Sequence, residues 1–455
     1  MLRTLTFSVA ILALFSLGCG KESPPPLAES QPLNVVLVMV DTLRADHMSL
    51  YGYSRATTPF IDELAAEAVV FDRARSQAAC TFPSVNSLFT SRYPFDFNVQ
   101  GEGQMGIPPE YPTIAEILQA QGYHTIAVSA SPIVRSTPSK ENPNAGFGAG
   151  FEVFDESCLW GSAACVNARA LKLLGNAREP FFLYLHYMDP HGHYAPPAAY
   201  QKQFAGPYDG YDFIAAGDHN PIGEMIYGDG PELDITDRDV QHLIDLYDDE
   251  IRYFDGEFAR LIDFLREDNL LDRSLLAFTS DHGEEFLEHG HVGHCRGVWD
   301  TLTHVPLLVR FPELDGGSRV DNAVQLIDVV PTMLDELGID TTAIPFEGTT
   351  LRMLFEGGRP ASVYAYSDQG RYRASDDGRW HFILDGVESS ATFYDTRDDP
   401  LEQHDLFAGG SPEIDRLSTT LNQWLKDTGQ WVRFDEALAA SKAKEEELRA
   451  LGYLQ

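Results

Sequence analysis

Three apolar runs in this 455-residue chain end in carboxylates and imidazoles. "NVVLVMV" runs into Asp41, "FFLYL" into His186, Asp189 and His191, and "SLLAFTS" into Asp281 and His282. Such runs read as strands buried on both faces, and ligands in open α/β sheets bind beyond the carboxyl ends of such strands. A single Asp at a strand end is most often a turn or cap residue. Several such segments together suit one divalent cation, Ca²⁺, Mn²⁺, Mg²⁺ or Zn²⁺, because oxygen and imidazole donors serve all four. A further stretch, "ACTFPSVNSLFTSRYP" at 79–94, offers two nucleophiles side by side, Cys80 and Thr81. By residue type Cys80 is the obvious choice. Pro83 favours the first turn of a helix that "SVNSLFT" can continue, which sets Thr81 at a helix N-terminus. Free N–H groups and the helix dipole stabilise an anion there. A threonine hydroxyl attacks only when its pKa is depressed, which a bound metal does. Asn86, a turn further on, is a candidate donor to an anionic oxygen.

The elements that must position these residues follow from the hydrophobic pattern. "TTPFIDELAAEAVVF" predicts a helix capped by Thr58, with Pro59 in its first turn and Phe60, Ile61, Leu64, Ala65 and Ala68 on one face. "PTIAEILQAQGYHTIAVSA" reads as helix, glycine stop and strand. A long amphipathic helix is predicted near 240–265, with Leu243, Ile244, Tyr247, Ile251, Phe254, Phe258 and Leu261 on one face. "VPLLVRFP" is a further strand. Strands alternating with helices predict a largely parallel α/β sheet. After about Pro345, "RWHFILDG" and "SATFYDTRDDP" predict a small antiparallel sheet, and "EIDRLSTTLNQWL" a helix packed on it.

The chain is 44% hydrophobic and 11% aromatic, enough for a substantial core. Its formal net charge is −36, which leaves no basic surplus for nucleic acid. An anionic substrate therefore needs a local positive site. "MLRTLTFSVAILALFSLGCG" has the n-region, h-region and small-residue order of an export signal, and its apolar run is too short to span a membrane comfortably. "SLGC" resembles a bacterial lipoprotein signal with Cys19 as the lipidated residue. The expectation is an exported envelope protein, periplasmic or anchored to the outer membrane by lipid. The organisation read from the sequence is signal 1–19, Pro-rich tether 20–33, catalytic domain 34–345, C-terminal subdomain 346–427 and helical tail 428–455. Cys158 and Cys165 can close a small loop. Cys80 and Cys295 can pair or stay as buried thiols.

"NVVLVMVDTLRADHMSLYGYSRATTPFIDELAAEAVVFDRARSQ", "FFLYLHYMDPHGHYAPP" and "FTSDHGEEFLEHGHVGHCRGVWDTLTHVPLLVRFP" resemble segments of the sulfatase family in the alkaline phosphatase superfamily. "LIDVVPTMLDELGI" and "FYDTRDDPLEQHDLF" resemble its closing segments. The resemblance implies an alkaline-phosphatase-like α/β fold, a mostly parallel central sheet flanked by helices with a smaller C-terminal antiparallel sheet. It implies that Asp41, Asp281 and His282 bind one divalent metal ion, that His191 and His294 contact the anionic oxygens of an ester, and that Arg44 and Glu284 orient the ligands. His186, His289 and His291 are further candidates for the site, with packing or support of the ligands as the alternative. Many sulfatases have Asp where this chain has Thr42, and Lys where it has His294. They also carry C-x-P-x-R, whose Cys matures to formylglycine. Here the spacing is C-x-x-P, and "SLFTSRYP" fixes the register so that Thr81 takes the nucleophile's place, with Val85 instead of Arg.

A formylglycine hydrate has a second hydroxyl that expels sulfate by elimination. Threonine has none, so its ester must be displaced by water or an acceptor alcohol, which suits phosphoryl transfer. The expectation is a metal-dependent hydrolase or transferase of phosphate, phosphonate or sulfate esters with Thr81 as nucleophile and metal ligand. The alternatives are a sulfatase that works without formylglycine and a catalytically silent metal-holding binder.

Overall fold

The computed structural model describes residues 32–96, 107–108, 110–140, 142, 146–211, 213, 234–314, 316–355 and 364–430. The expected signal with Cys19, nearly all of the tether, and the tail beyond Gln430 lie outside them. From Leu33 onward the chain belongs to one unit. No helix among the described residues is long and apolar enough to cross a membrane.

The strands are β1 (Asn34–Val40), β2 (Val69–Arg75), β3 (His124–Ser129), β4 (Val153–Asp155), β5 (Phe181–Tyr187) and β6 (Ser274–Ser280). Next come the two-residue β7 (Glu285–Phe286) and β8 (Val292–Gly293), then β9 (His304–Arg310) and β10 (Ser318–Gln325). Eight of them form one sheet in the order β10-β2-β9-β6-β1-β5-β3-β4. All pairs are parallel except the two that β9 makes, with β2 and with β6. The central strands β1, β5 and β6 are buried along their whole length, which is why they read as unbroken apolar runs. In register, Met39 lies beside His186 and Val40 beside Ser280. The residues that follow β1 and β6 therefore emerge at one edge.

Helix α1 (Pro59–Leu64) is shorter than the pattern predicts. A 3-10 turn at Ala65–Glu67 ends it, and "VVFDRAR" is strand β2 instead of the helix's continuation. Thr58 makes no cap bond to the backbone. The Asp255 carboxylate accepts from Phe60 N and Ile61 N at 3.1 and 3.0 Å, so a distant side chain satisfies those orphan donors. Helix α2 spans Thr81–Thr90, α3 Ile114–Ala120 and α4 Ala163–Leu174. The long helix α5 runs Asp237–Glu267 behind a Thr236/Asp239 capping box and buries Leu243, Tyr247, Ile251, Phe254, Phe258 and Leu261 against β1, β5 and β6.

The predicted small sheet is present: β11 (Ala365–Gln369), β12 (Tyr372–Asp376), β13 (Trp380–Asp385) and β14 (Ser390–Asp395), antiparallel throughout. The helix Pro412–Asp427 lays Leu417, Leu421 and Leu425 on Phe382 and Phe393, each side chain contributing about 1.5–3 kcal/mol of burial. The edge strand β11 reaches the loop before α2, where Asp368 N donates to Gln77 O at 2.8 Å.

Candidate active site

Asp41 leaves the end of β1 and is buried. Its Oδ2 lies 3.1 Å from His186 Nε2, and His186 Nδ1 lies 2.8 Å from the Tyr184 hydroxyl. The phenol of buried Tyr184 is held well above its ordinary pKa by burial and by Asp281 and Asp41. The Asp41 carboxylate can only accept, so the proton between it and the ring sits on Nε2, and Nδ1 accepts from the Tyr184 hydroxyl. His186 then carries its proton on Nε2 and donates to Asp41 Oδ2. The other oxygen, Asp41 Oδ1, is buried and has no hydrogen-bond partner. Asp281, just after β6, repeats the pattern. Its Oδ1 accepts from Thr42 N at 3.2 Å and His282 N at 2.9 Å, while Oδ2 has no partner.

His282 completes the arrangement. Its Nδ1 donates to Gly283 O at 2.9 Å, which leaves the Nε2 lone pair free. That nitrogen lies 3.4 Å from Asp281 Oδ2, 3.9 Å from Asp41 Oδ1 and 3.2 Å from Thr81 Oγ1. Gly283 is required here, since an added Cβ would meet Thr301 O at 2.0 Å. Two unpartnered carboxylate oxygens, an imidazole lone pair and a hydroxyl thus face one another, a donor set that fits a divalent cation. Asp41, His186 and Asp281 also form the one group among the described residues whose ligand atoms all lie within 4.8 Å. Both nitrogens of His186 are already engaged, by Tyr184 and by Asp41.

The electrostatics fit the same donor set. Burial raises and the His186 hydrogen bond lowers the Asp41 carboxyl, and its pKa ends below the ordinary value. Burial and the Asp41 charge push Asp281 well above the carboxylate range. Two buried carboxylates this close repel unless a cation or a proton lies between them. Burial and His294 bring His282 down to about 3, so its ring is neutral and able to act as a ligand.

Thr81 is the first residue of α2 and is buried. Ser84, one turn on, donates to Asp281 O at 2.6 Å and ties the helix to the carboxylate loop. Cys80 precedes the helix in extended conformation and is disulfide-bonded to Cys295, while Cys295 N donates to Ala79 O at 2.8 Å. Of the two adjacent nucleophile candidates, one is therefore locked in a cross-link and the other faces the donor cluster.

His294 lies beside His282, with ring centroids 4.5 Å apart, and beside His191 at 5.2 Å. His294 Nδ1 is 3.0 Å from Glu284 Oε1, and Glu284 Oε2 accepts from the Tyr194 hydroxyl at 3.2 Å. Burial opposes charge on His294, but Glu284 outweighs it and raises its pKa. Glu284 is in turn lowered, with burial overcome by His294. Arg44 is buried and donates to Glu284 O at 2.9 Å and to Glu288 at 2.6 Å, so it braces this loop without facing the cluster. Asn86 is fully buried, with neither amide atom hydrogen-bonded. His289 stacks on Trp299 and binds Glu285, and His291 faces Arg296, so neither is engaged with the cluster.

Thr42 contributes through its backbone, which the side-chain pattern does not reveal. Its φ of 57° is in the left-handed region, costly for a β-branched residue, and its N–H reaches Asp281 while its C=O accepts from the Tyr247 hydroxyl at 2.7 Å.

A family model described as Sulfatase matches residues 33–339. A sulfatase of Formosa agariphila is 23% identical over 449 residues, covering 86% of each chain. Human iduronate 2-sulfatase is 27% identical over 367 residues, 68% of this chain and 65% of its own length. Among solved structures, the phosphonate monoester hydrolase of Agrobacterium radiobacter superposes with a TM-score of 0.68 at 21% identity, covering 88% of this chain and 96% of the other. A protein solved with its substrate D-glucosamine-2-N,6-O-disulfate superposes at 0.71 and 19% identity, covering 89% and 99%. At these identities the superpositions speak to the fold alone.

Proposed function

The chain belongs to the sulfatase family and is an ester hydrolase by that membership; from that premise we propose that Thr81 is its nucleophile and that it acts on phosphate or phosphonate esters in preference to sulfate esters. The observation that carries this reading is the convergence of Asp41 Oδ1, Asp281 Oδ2, His282 Nε2 and Thr81 Oγ1, next to a Cys80 held in a disulfide. Asp41, Asp281 and His282, with Thr81, would hold one divalent cation. When bound, it lowers the pKa of the threonine hydroxyl and neutralises charge developing on the ester.

The chain's own groups do the remainder. The first N–H groups of α2 face the anion, as the helix N-terminus favours. His294, whose cationic form Glu284 favours, and His191 flank the oxygens of the ester. Thr81 Oγ bonds to phosphorus as the alcohol leaves, and water or an acceptor alcohol then displaces Oγ by a second attack at phosphorus. No second hydroxyl exists to expel sulfate by elimination, which supports the preference for phosphorus. Two disulfides support export to an oxidising compartment, and with Cys19 they favour a lipid-anchored envelope protein.

The test is turnover of aryl phosphate, phosphodiester, phosphonate and sulfate esters by the mature protein with several divalent metals. The expected ranking puts a phosphorus ester first. A sulfate ester turned over fastest would overturn the preference.

A further inference from the structure

A cleft of about 430 Å³ has His191 in its wall but none of Asp41, Thr81, Asp281 and His282; Trp160, Met188, Asp189, His193 and Glu250 are among the others that line it. Trp160 stands on the short loop closed by the Cys158–Cys165 disulfide, 57% exposed, with its ring centroid 5.7 Å from that of His191. An indole this exposed, on a loop held by a cross-link, forms part of the wall of the cleft.

The acidic groups of this cleft do more than their structural tasks need. Asp189 Oδ2 accepts from Ala163 N at 2.6 Å at the start of α4, and Glu250 Oε1 accepts from Ala195 N at 2.8 Å. Each task takes one oxygen, and an amide would serve. Glu250 is 5% exposed, yet its Oε2 receives no N–H or O–H from the protein. Glu250 and Asp189 line the same cleft and act on each other electrostatically, and two carboxyls brought together there can hydrogen-bond only around a shared proton. Among the largest further influences, Glu257 raises Asp189 and Asp249 raises Glu250. Burial drives the Asp189 carboxyl up to about 6 and holds Glu250 well above its ordinary value, where the Asp189 charge adds to the shift.

We propose that this cleft receives the leaving group of the ester and selects one bearing an ammonium group, with Glu250 and Asp189 as its anionic acceptors and the Trp160 face as its cation–π wall. On binding, the ammonium takes the place of the shared proton, which passes to solvent. The assignment rests on the reading that His191 flanks the ester, because His191 borders both spaces. The preferred substrate then carries an anionic ester at one end and a cation at the other.

The test is calorimetric titration of the mature full-length protein with cyclohexylamine and, separately, with cyclohexanol at neutral pH, which requires no turnover. The expected result is at least about tenfold tighter binding of the ammonium, the scale of a partly desolvated cation–π and carboxylate contact. Glu250→Gln should remove the preference. Trp160→Ala, at an exposed position where folding is not at risk, should weaken the ammonium by a few-fold. Equal affinities would overturn the proposal in favour of a neutral hydroxyl or apolar cleft. No binding of either probe, or a preference that survives Trp160→Ala undiminished, would also overturn it. Failure of the ester chemistry shows separately, in turnover assays that leave these affinities unchanged.

Discussion

Two buried groups of carboxylates lie at the same edge of the large sheet, and they solve the problem of burial in opposite ways. Asp300 and Asp376 share Arg75, which is 1% exposed, sits at the end of β2, and lies 2.7 Å from Asp376. His304 adds a further contact to Asp300 at 3.2 Å. Burial is outweighed there by Arg75 and His304, and the Asp300 carboxyl ends well below its ordinary pKa. That cluster contains its own cation and pins the small sheet to the large one. Among the described residues, no arginine or lysine pairs with Asp41 or Asp281. Each has one oxygen fixed by N–H donors and the other left bare toward His282 and Thr81. The first cluster carries its own cation; the second leaves two carboxylate oxygens bare, which is what the proposed function needs for a cation from outside.

The comparison breaks most readily at Thr81. Thr81→Ala should lower kcat on the preferred ester by about a thousandfold or more while leaving the thermal midpoint near wild type. A variant retaining a tenth of the activity would remove Thr81 from the chemistry. Arg75→Met should do the reverse. It leaves Asp300 and Asp376 buried without their cation, at about 3–5 kcal/mol of stability measured by urea unfolding. Added divalent cation should stabilise the wild type by about 2.7 kcal/mol at a hundredfold excess over its dissociation constant. Asp281→Asn should lose that increment and Arg75→Met should keep it. The smallest expected effect concerns pH. Glu284 raises the His294 pKa, so the cationic form is present below that pKa and lost as pH rises through it. Glu284→Gln should lower that pKa and move the basic limb of kcat/KM to lower pH, without moving the metal-dependent stabilisation.

Much of this was legible because the central strands are buried on both faces, so their apolar runs stop abruptly at Asp41, Asp281 and His282. Pro83 and the apolar run behind it marked α2. His186 was harder to place: it sits inside a buried strand, where a histidine looks like packing, and only the register beside Met39 sets it against Asp41. Strand β2 was hidden because "AVVF" continues the helical period of α1. The antiparallel sense of β9 was also hidden, since apolar pattern carries no strand direction. The Cys80–Cys295 pairing joins residues 215 apart, which spacing cannot reveal. Glu250 is hidden within a run of acids on a long helix. There Asp248 binds His47, Asp249 accepts from Lys202 N and Phe204 N, and Glu250 turns to the cleft.

The most direct test of the central claim is mass spectrometry of the peptide carrying Cys80 and Thr81, after rapid quench during turnover of the preferred ester. The prediction is a phosphoryl increment on Thr81, with Cys80 linked to Cys295. An aldehyde at Cys80, or an increment on any other residue, would contradict it.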